Sequence, residues 1–198
     1  MLNLNTKKCF VEENGKIEWI MGSFGSKVSM LYPLSVLNGE GASCEFTNIS
    51  FAGKGQNLDT GLKLIHNAPR TTSVVNSKSI SKDGGICTFR SNALVKHGAK
   101  QSKLSISCES LMMDSISRSD TIPVDTIETD DVEFAHEATV GKISDEAIFY
   151  LMTRGLSEKE AKALIVQGFA EPIAASFPVE YAVEMNRLIG LELEGTIG

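Results

Sequence analysis

The chain has 198 residues, 42% of them apolar and 22% charged, with a net charge of −6. That length supports one domain, or one domain with a small appendage, and a real buried core. The composition excludes a membrane-spanning helix, because no run of about eighteen apolar residues occurs. It also argues against general nucleic-acid binding, which needs a basic face.

In chain order, residues 1 to about 130 hold little that reads as long helix. Short β-prone runs follow one another instead: KIEWIMG, KVSMLYPLSVL, CEFTNISFAG, TGLKLIHN, TTSVVNSKSIS, ICTFRSNALVK and SKLSISCESLMM. Turn residues bound them, among them Asn14-Gly15, Asn38-Gly39 and Asp83-Gly84-Gly85. Two all-β architectures compete for this pattern. A sandwich closes hairpins with tight Asn-Gly turns, whereas a solenoid stacks similar rungs with small polar residues at the corners. Periodicity alone leaves both open, with the uneven runs and Ser/Asn-rich corners leaning towards the solenoid.

The stretch DDVEFAHEATVGKISDEAIFYLMTRG, from Asp130 to Gly155, places His136 beside Glu137 where strand-like alternation is expected to give way to helical spacing. A metal ligand or proton carrier is held well at a rigid edge of that kind. Cys108, upstream, is a soft ligand that folding can bring to the pair.

Helices are expected after that point. Ser144 caps a first helix from about Asp145 to Arg154, with Ile148, Leu151 and Met152 as its buried stripe and Gly155 as its stop. Ser157 to Glu160 reads as a capping box for a second helix, whose apolar face is Ala161, Leu164, Ile165 and Phe169. Pro178 suits the first turn of a third, carrying Tyr181, Met185, Leu188 and Ile189. From Ile143 onward nine acidic residues stand against four basic ones, which reads as a solvated helical surface or a face for a basic partner. A tail of this size has a marginal core alone, so it is expected to dock on the β part or on a partner.

Four cysteines, Cys9, Cys44, Cys87 and Cys108, show no CxxC spacing, and MLNLNTKKCF lacks the apolar stretch of a secretory signal. They read as reduced thiols in a cytoplasmic compartment, and no pair is spaced for a zinc finger. Taken blind, each is a small buried hydrophobe. His66 and His97 read as turn or rung-edge residues without chemistry. FAGKGQN is glycine-rich but lacks the phosphate-loop pattern.

The tail HEATVGKISDEAIFYLMTRGLSEKEAKALIVQGFAEPI, with SRSDTIP, CESLMMD, SKSISKDGG, FAGKGQNLDTGLKLIHNAP and KIEWIMGSFGSKVSMLYP before it, resembles the C-terminal portion of SufB in the SufB/SufD family of iron–sulfur cluster assembly. The related SufD subunit typically has Gly after the corresponding histidine, so Glu137 favours the SufB branch. The resemblance implies a mainly β fold: a right-handed parallel β-helix over residues 1–140, then a small C-terminal helical domain over 141–198. It implies a non-enzymatic scaffold on which a transient, nascent iron–sulfur cluster is built. It also implies partners: a SufC-type ATPase on the helical domain, a SufD-type subunit or second copy along the β-helix edge, and a cysteine desulfurase as sulfur source. The expected location is cytoplasmic, or a plastid-like organelle.

Carried over by position, the resemblance assigns Cys108, Glu137 and His136 to the metal. One branch has a further acidic residue before the histidine; here that position is Ala135, so a four-residue set does not transfer. SufB proteins are generally longer, and this chain is expected to begin partway along the β-helix. Two alternatives stand beside the scaffold. One is a module that binds and stimulates the ATPase through Ala161–Phe169 and the Arg154-Gly155 turn without holding a cluster. The other is a carbohydrate-active β-helix enzyme, for which no usefully spaced acidic or basic set is visible along a sheet face.

Overall fold

The computed structural model describes residues 1–194 as twelve strands followed by three helices. One sheet stacks β3 (Lys16–Ser23), β6 (Ser43–Ala52), β8 (Thr72–Ser81), β10 (Ser102–Met112) and β12 (Val132–Lys142) in that order. The other begins with β1 (Leu2–Asn5) and β2 (Lys8–Val11), which pair with β4 (Val28–Leu31) and β5 (Leu34–Leu37). It continues through β7 (Asn57–His66), β9 (Ile86–Val95) and β11 (Arg118–Ile127). Every pairing is parallel, and the chain crosses from one sheet to the other on each circuit. The result is a β-solenoid of about 5 turns. That decides against the sandwich, whose sheets are antiparallel.

The sequence explains the rungs. Alternation puts Cys44, Phe46, Val75, Leu104 and Ile106 on the inner face of one sheet and Leu37, Leu64, Phe89 and Val95 on that of the other. Phe46 and Phe89 meet across the interior with centroids 6.3 Å apart. Polar inner residues stack on one another: Asn48 Nδ2 donates to Ser77 Oγ at 3.0 Å, and the Ser79 and Ser110 hydroxyls lie 2.7 Å apart. Each circuit must also turn sharply before it enters the β3–β6–β8–β10 sheet. Asn14, Gly41, Arg70 and Gln101 sit one or two residues ahead of those strands, with φ of 55°, 71°, 56° and 57°. The left-handed conformation recurs at the same corner although only one of the four is glycine. Pro33, lacking an N–H, lies between β4 and β5 and splits the second-turn strand.

Helix α1 (Asp145–Thr153) is capped by Ser144, whose Oγ accepts from the Ala147 N–H at 3.1 Å. Helix α2 (Glu158–Ala174) opens with the expected capping box: Ser157 Oγ accepts from the Glu160 N–H, and the Glu160 carboxylate accepts from the Ser157 N–H. Helix α3 (Val179–Glu194) follows Pro178. Val166, Ala170 and Ile173 of α2, with Met185 and Ile189 of α3, join Ile49, Phe51 and Ile80 of the solenoid in a second core cluster. Lys78 reinforces this docking, with its ammonium 4.6 Å from the Phe169 ring centroid and 3.2 Å from the Glu109 carboxylate. Lys82 donates to the Glu192 and Leu193 carbonyls at 3.2 Å, placing a cation at the negative end of α3.

Several local expectations shift. The His136-Glu137 pair lies in the middle of β12, not at a strand-to-helix junction; the change of element comes between Lys142 and Asp145. Met152, Leu164 and Tyr181, expected in buried stripes, are exposed; on α2, Ala161, Val166, Ala170 and Ile173 form the packed face in place of Leu164. His66 is fully buried rather than at a rung edge, whereas His97 is an exposed turn residue. Among the described residues no helix is long and apolar enough to cross a membrane.

Candidate functional site

Cys108, His136 and Glu137 lie on the neighbouring strands β10 and β12, and the pleat decides which of them meet. In register, Ile106 pairs with His136, Ser107 with Glu137 and Cys108 with Ala138. Ile106 and Cys108 belong to the inner core cluster, and Val132 and Phe134 pack against it. His136 continues that inner line, so Cys108 and His136 share one face with Cα atoms about 8 Å apart by strand spacing and rise. Glu137 is nearer to Cys108 along the sheet, but it alternates to the outer face and is exposed. The structure therefore joins two of the three expected residues and sets the third on the other side.

The outer face has features of its own. Glu137 is registered with Ser107, which lines a groove of about 320 Å³ between the sheet and α2. Thr47, Asn76, Lys78 and Glu109 share that groove with Pro172 and Ile173 of the helix.

The inner face holds a residue that the sequence reading did not single out. Asp125 on β11 is registered with Ala93, a core residue of β9, and so faces inward across the final rung. Its Oδ2 lies 2.8 Å from His136 Nδ1, with only 15% of the Asp125 side chain and 12% of the His136 side chain exposed. Two atoms of the pair, Asp125 Oδ1 and His136 Nε2, are buried without a protein partner, and so is Thr121 Oγ1 on the same strand. The Phe134 ring meets the imidazole edge-on at 6.3 Å. A register argument would have found Asp125: a solenoid circuit of about 30 residues carries β9 onto SRSDTIPVDTIE and makes its alternate residues inward.

Burial first, and the Asp125 carboxylate second, push the Cys108 thiol up to about 12. It is a protonated, weakly reactive thiol in the closed rung. Cys87 is pushed up to about 12 and Cys44 to about 11, each mainly by burial, so acidity does not set Cys108 apart. Its neighbours do: among the four free cysteines, Cys108 is the one coupled to a buried aspartate that also holds a histidine. Among the described residues no three His, Cys, Asp or Glu groups are spaced as a ready-made metal cage. Asp120, on the same strand as Asp125, is paired with Arg118 at 2.8 Å.

The comparisons with known proteins agree with this architecture. The family model described as SUF system FeS cluster assembly, SufBD core domain, matches residues 1–169. Proteins named iron–sulfur cluster assembly SufBD family protein from Staphylococcus haemolyticus, Staphylococcus epidermidis and Staphylococcus aureus strain USA300 are each 52% identical over 196 residues. These alignments cover 99% of this chain and 42% of each relative, so the chain spans less than half the length of the curated relatives it matches. The matched family model and the 52% identity along nearly the whole sequence converge on one assignment: the chain belongs to the SufBD family of the SUF iron–sulfur cluster assembly system.

Proposed function

We propose that this chain serves as a non-enzymatic scaffold on which an iron–sulfur cluster is assembled and then given away, within a complex of the SufB–SufC–SufD type. The observation that carries the reading is the inner face of the final two turns, where Cys108 and His136 stand on adjacent strands in a family devoted to this task. Iron accepts thiolate, imidazole and carboxylate, and a cluster built for transfer is better held by mixed ligands than by four thiolates. Cys108 supplies sulfur and His136 an imidazole. Glu137 supplies a carboxylate on the outer face, suited to a second subunit or to an exposed step of transfer. The cluster is cargo, its sulfide comes from a cysteine desulfurase, and the compartment is the cytoplasm.

Anaerobic addition of ferrous iron and sulfide to the purified complex is expected to give sulfide-to-iron charge-transfer absorbance that disappears as an apo-ferredoxin acceptor becomes loaded. Absorbance that never forms, or that never passes to the acceptor, defeats the scaffold reading.

A second reading has its own observation. Phe149, Tyr150 and Met152 of α1 and Val179, Tyr181 and Val183 of α3 are exposed large apolar side chains on a helical region already docked to the solenoid. This favours recruitment of a SufC-type ATPase by residues 141–198. Replacing Phe149 by Asp is expected to weaken co-purification with that ATPase at least about tenfold, the loss of a buried interface anchor. Unchanged capture would remove this face from the interface.

A further inference from the structure

We infer that Asp125 is a positioning residue of the iron site: it fixes the His136 imidazole so that Nε2 is the nitrogen left free for the cargo inside the final turn. The inference rests on the scaffold reading above and deepens it: behind His136 stands a carboxylate of the opposite sheet, Asp125, that acts through the imidazole, while Glu137 stays on the outer face.

The geometry is specific. Asp125 Oδ2 and His136 Nδ1 are 2.8 Å apart and mostly shielded from water, which favours a hydrogen on Nδ1 donated to the carboxylate. That leaves Nε2 as a lone-pair donor, and it is buried with no protein partner. A buried polar atom left unsatisfied costs about 1–3 kcal/mol, so its retention here calls for an explanation in use. Carboxylate–histidine pairs of this kind orient metal-bound imidazoles and strengthen them as ligands.

The second orphan, Asp125 Oδ1, is sealed in the same turn. Cys108 lies on the same inner line as His136 and feels the Asp125 charge. Three strands, β10, β11 and β12, thus each contribute one chemistry-bearing residue to one interior. None of the three lines the outer groove beside Ser107. Position 135, where a branch of related sequences carries an acid, is Ala here and alternates outward with Glu137, so it has no inward role for Asp125 to duplicate.

The test separates positioning from simple support of the fold. In the metal-free chain labelled with ¹⁵N-histidine, His136 is expected to be the Nδ1–H tautomer. Asp125→Ala is expected to move it towards Nε2–H. Asp125→Asn keeps the side-chain shape, guards against an unfolded alanine variant, and is expected to lower affinity for ferrous iron by about 10- to 100-fold, the range for loss of such an outer partner. Circular dichroism confirms that each variant is folded.

A His136 tautomer unmoved in Asp125→Ala overturns the inference, as does an iron affinity within about twofold of wild type in Asp125→Asn. A wild-type chain that binds no iron defeats the scaffold reading instead, and the tautomer result still decides whether Asp125 holds His136.

Discussion

Cys108→Ser is expected to reduce the iron and acid-labile sulfide retained after anaerobic reconstitution by at least about tenfold, or 1.4 kcal/mol of binding. Serine nearly matches cysteine in size, so the inner cluster of Phe46, Leu104 and Ile106 survives, but its hydroxyl is a hard, weakly acidic ligand in place of a soft one. Cys44→Ser and Cys87→Ser serve as controls, because those thiols are buried in earlier turns. The informative measurement is a pair of double-mutant cycles. Cys108 and His136 share a face and, on the proposed reading, one cargo, so their losses are expected to be strongly non-additive. Cys108 and Glu137 stand on opposite faces, so their losses are expected to add within about 0.5 kcal/mol. If Glu137→Ala abolishes retention while Cys108→Ser leaves it intact, the cluster belongs to the outer groove rather than the interior.

That cycle exploits a distinction the linear sequence hides. His136 and Glu137 are adjacent in the chain and look like one bidentate unit, yet in a strand adjacency means opposite faces. The same cause explains which parts of the fold were legible. Central strands such as β6 and β8 have a rung on each side and a packed inner face, so their alternation is clean up to Asn48 and Ser79, after which the docked helices bury the outer face too. The first turn and the last do not: β1 is exposed along its whole length, and β11 and β12 are largely exposed. The polar run SRSDTIPVDTIE, interrupted by Pro123, is not among the β-prone runs, and so Asp125, facing His136, is not singled out. Helix caps were legible because Ser144 and Ser157 act locally. The packed faces of the helices were not, since Ile49 and Ile80 on the solenoid select which stripe is buried.

The turn-defining residues show how much of a solenoid depends on contacts about 30 residues away. Gly61 lies under Arg90 in register, and a methyl group there would collide with the Arg90 carbonyl oxygen. Arg70 and Gln101 occupy the left-handed region at a corner shared by successive turns. No local signal marks these two residues for that conformation; the stacking of turns imposes it. The candidate site inherits the same logic, because Cys108, Asp125 and His136 are brought together by turn stacking and by nothing in their immediate sequence.

Acid is expected to destabilise the fold well above the pH at which ordinary carboxylates titrate, and His66 is the reason. Its ring is fully buried, with Nδ1 2.7 Å from Thr71 Oγ1 and Nε2 2.9 Å from Ser73 Oγ. Thr71 Oγ1 donates to the Ala68 carbonyl at 3.2 Å, which leaves it to accept from Nδ1–H while Ser73 donates to Nε2. This wiring satisfies a neutral imidazole completely. Burial without a compensating charge lowers the His66 pKa from 6.5 to about 4. Above pH 6.5 neither state is protonated there and nothing is lost. Between 6.5 and about 4 the unfolded chain takes up a proton that the folded chain refuses, so stability falls as pH falls, by about 3 kcal/mol in total. Urea midpoints measured across that window give the slope. His66→Leu is expected to cost about 1–3 kcal/mol at pH 7.5 by stranding the Thr71 and Ser73 hydroxyls, and to flatten the slope between pH 6.5 and 4. A variant whose slope matches wild type places the acid sensitivity elsewhere, and an equally stable one shows that the hydroxyls find other partners.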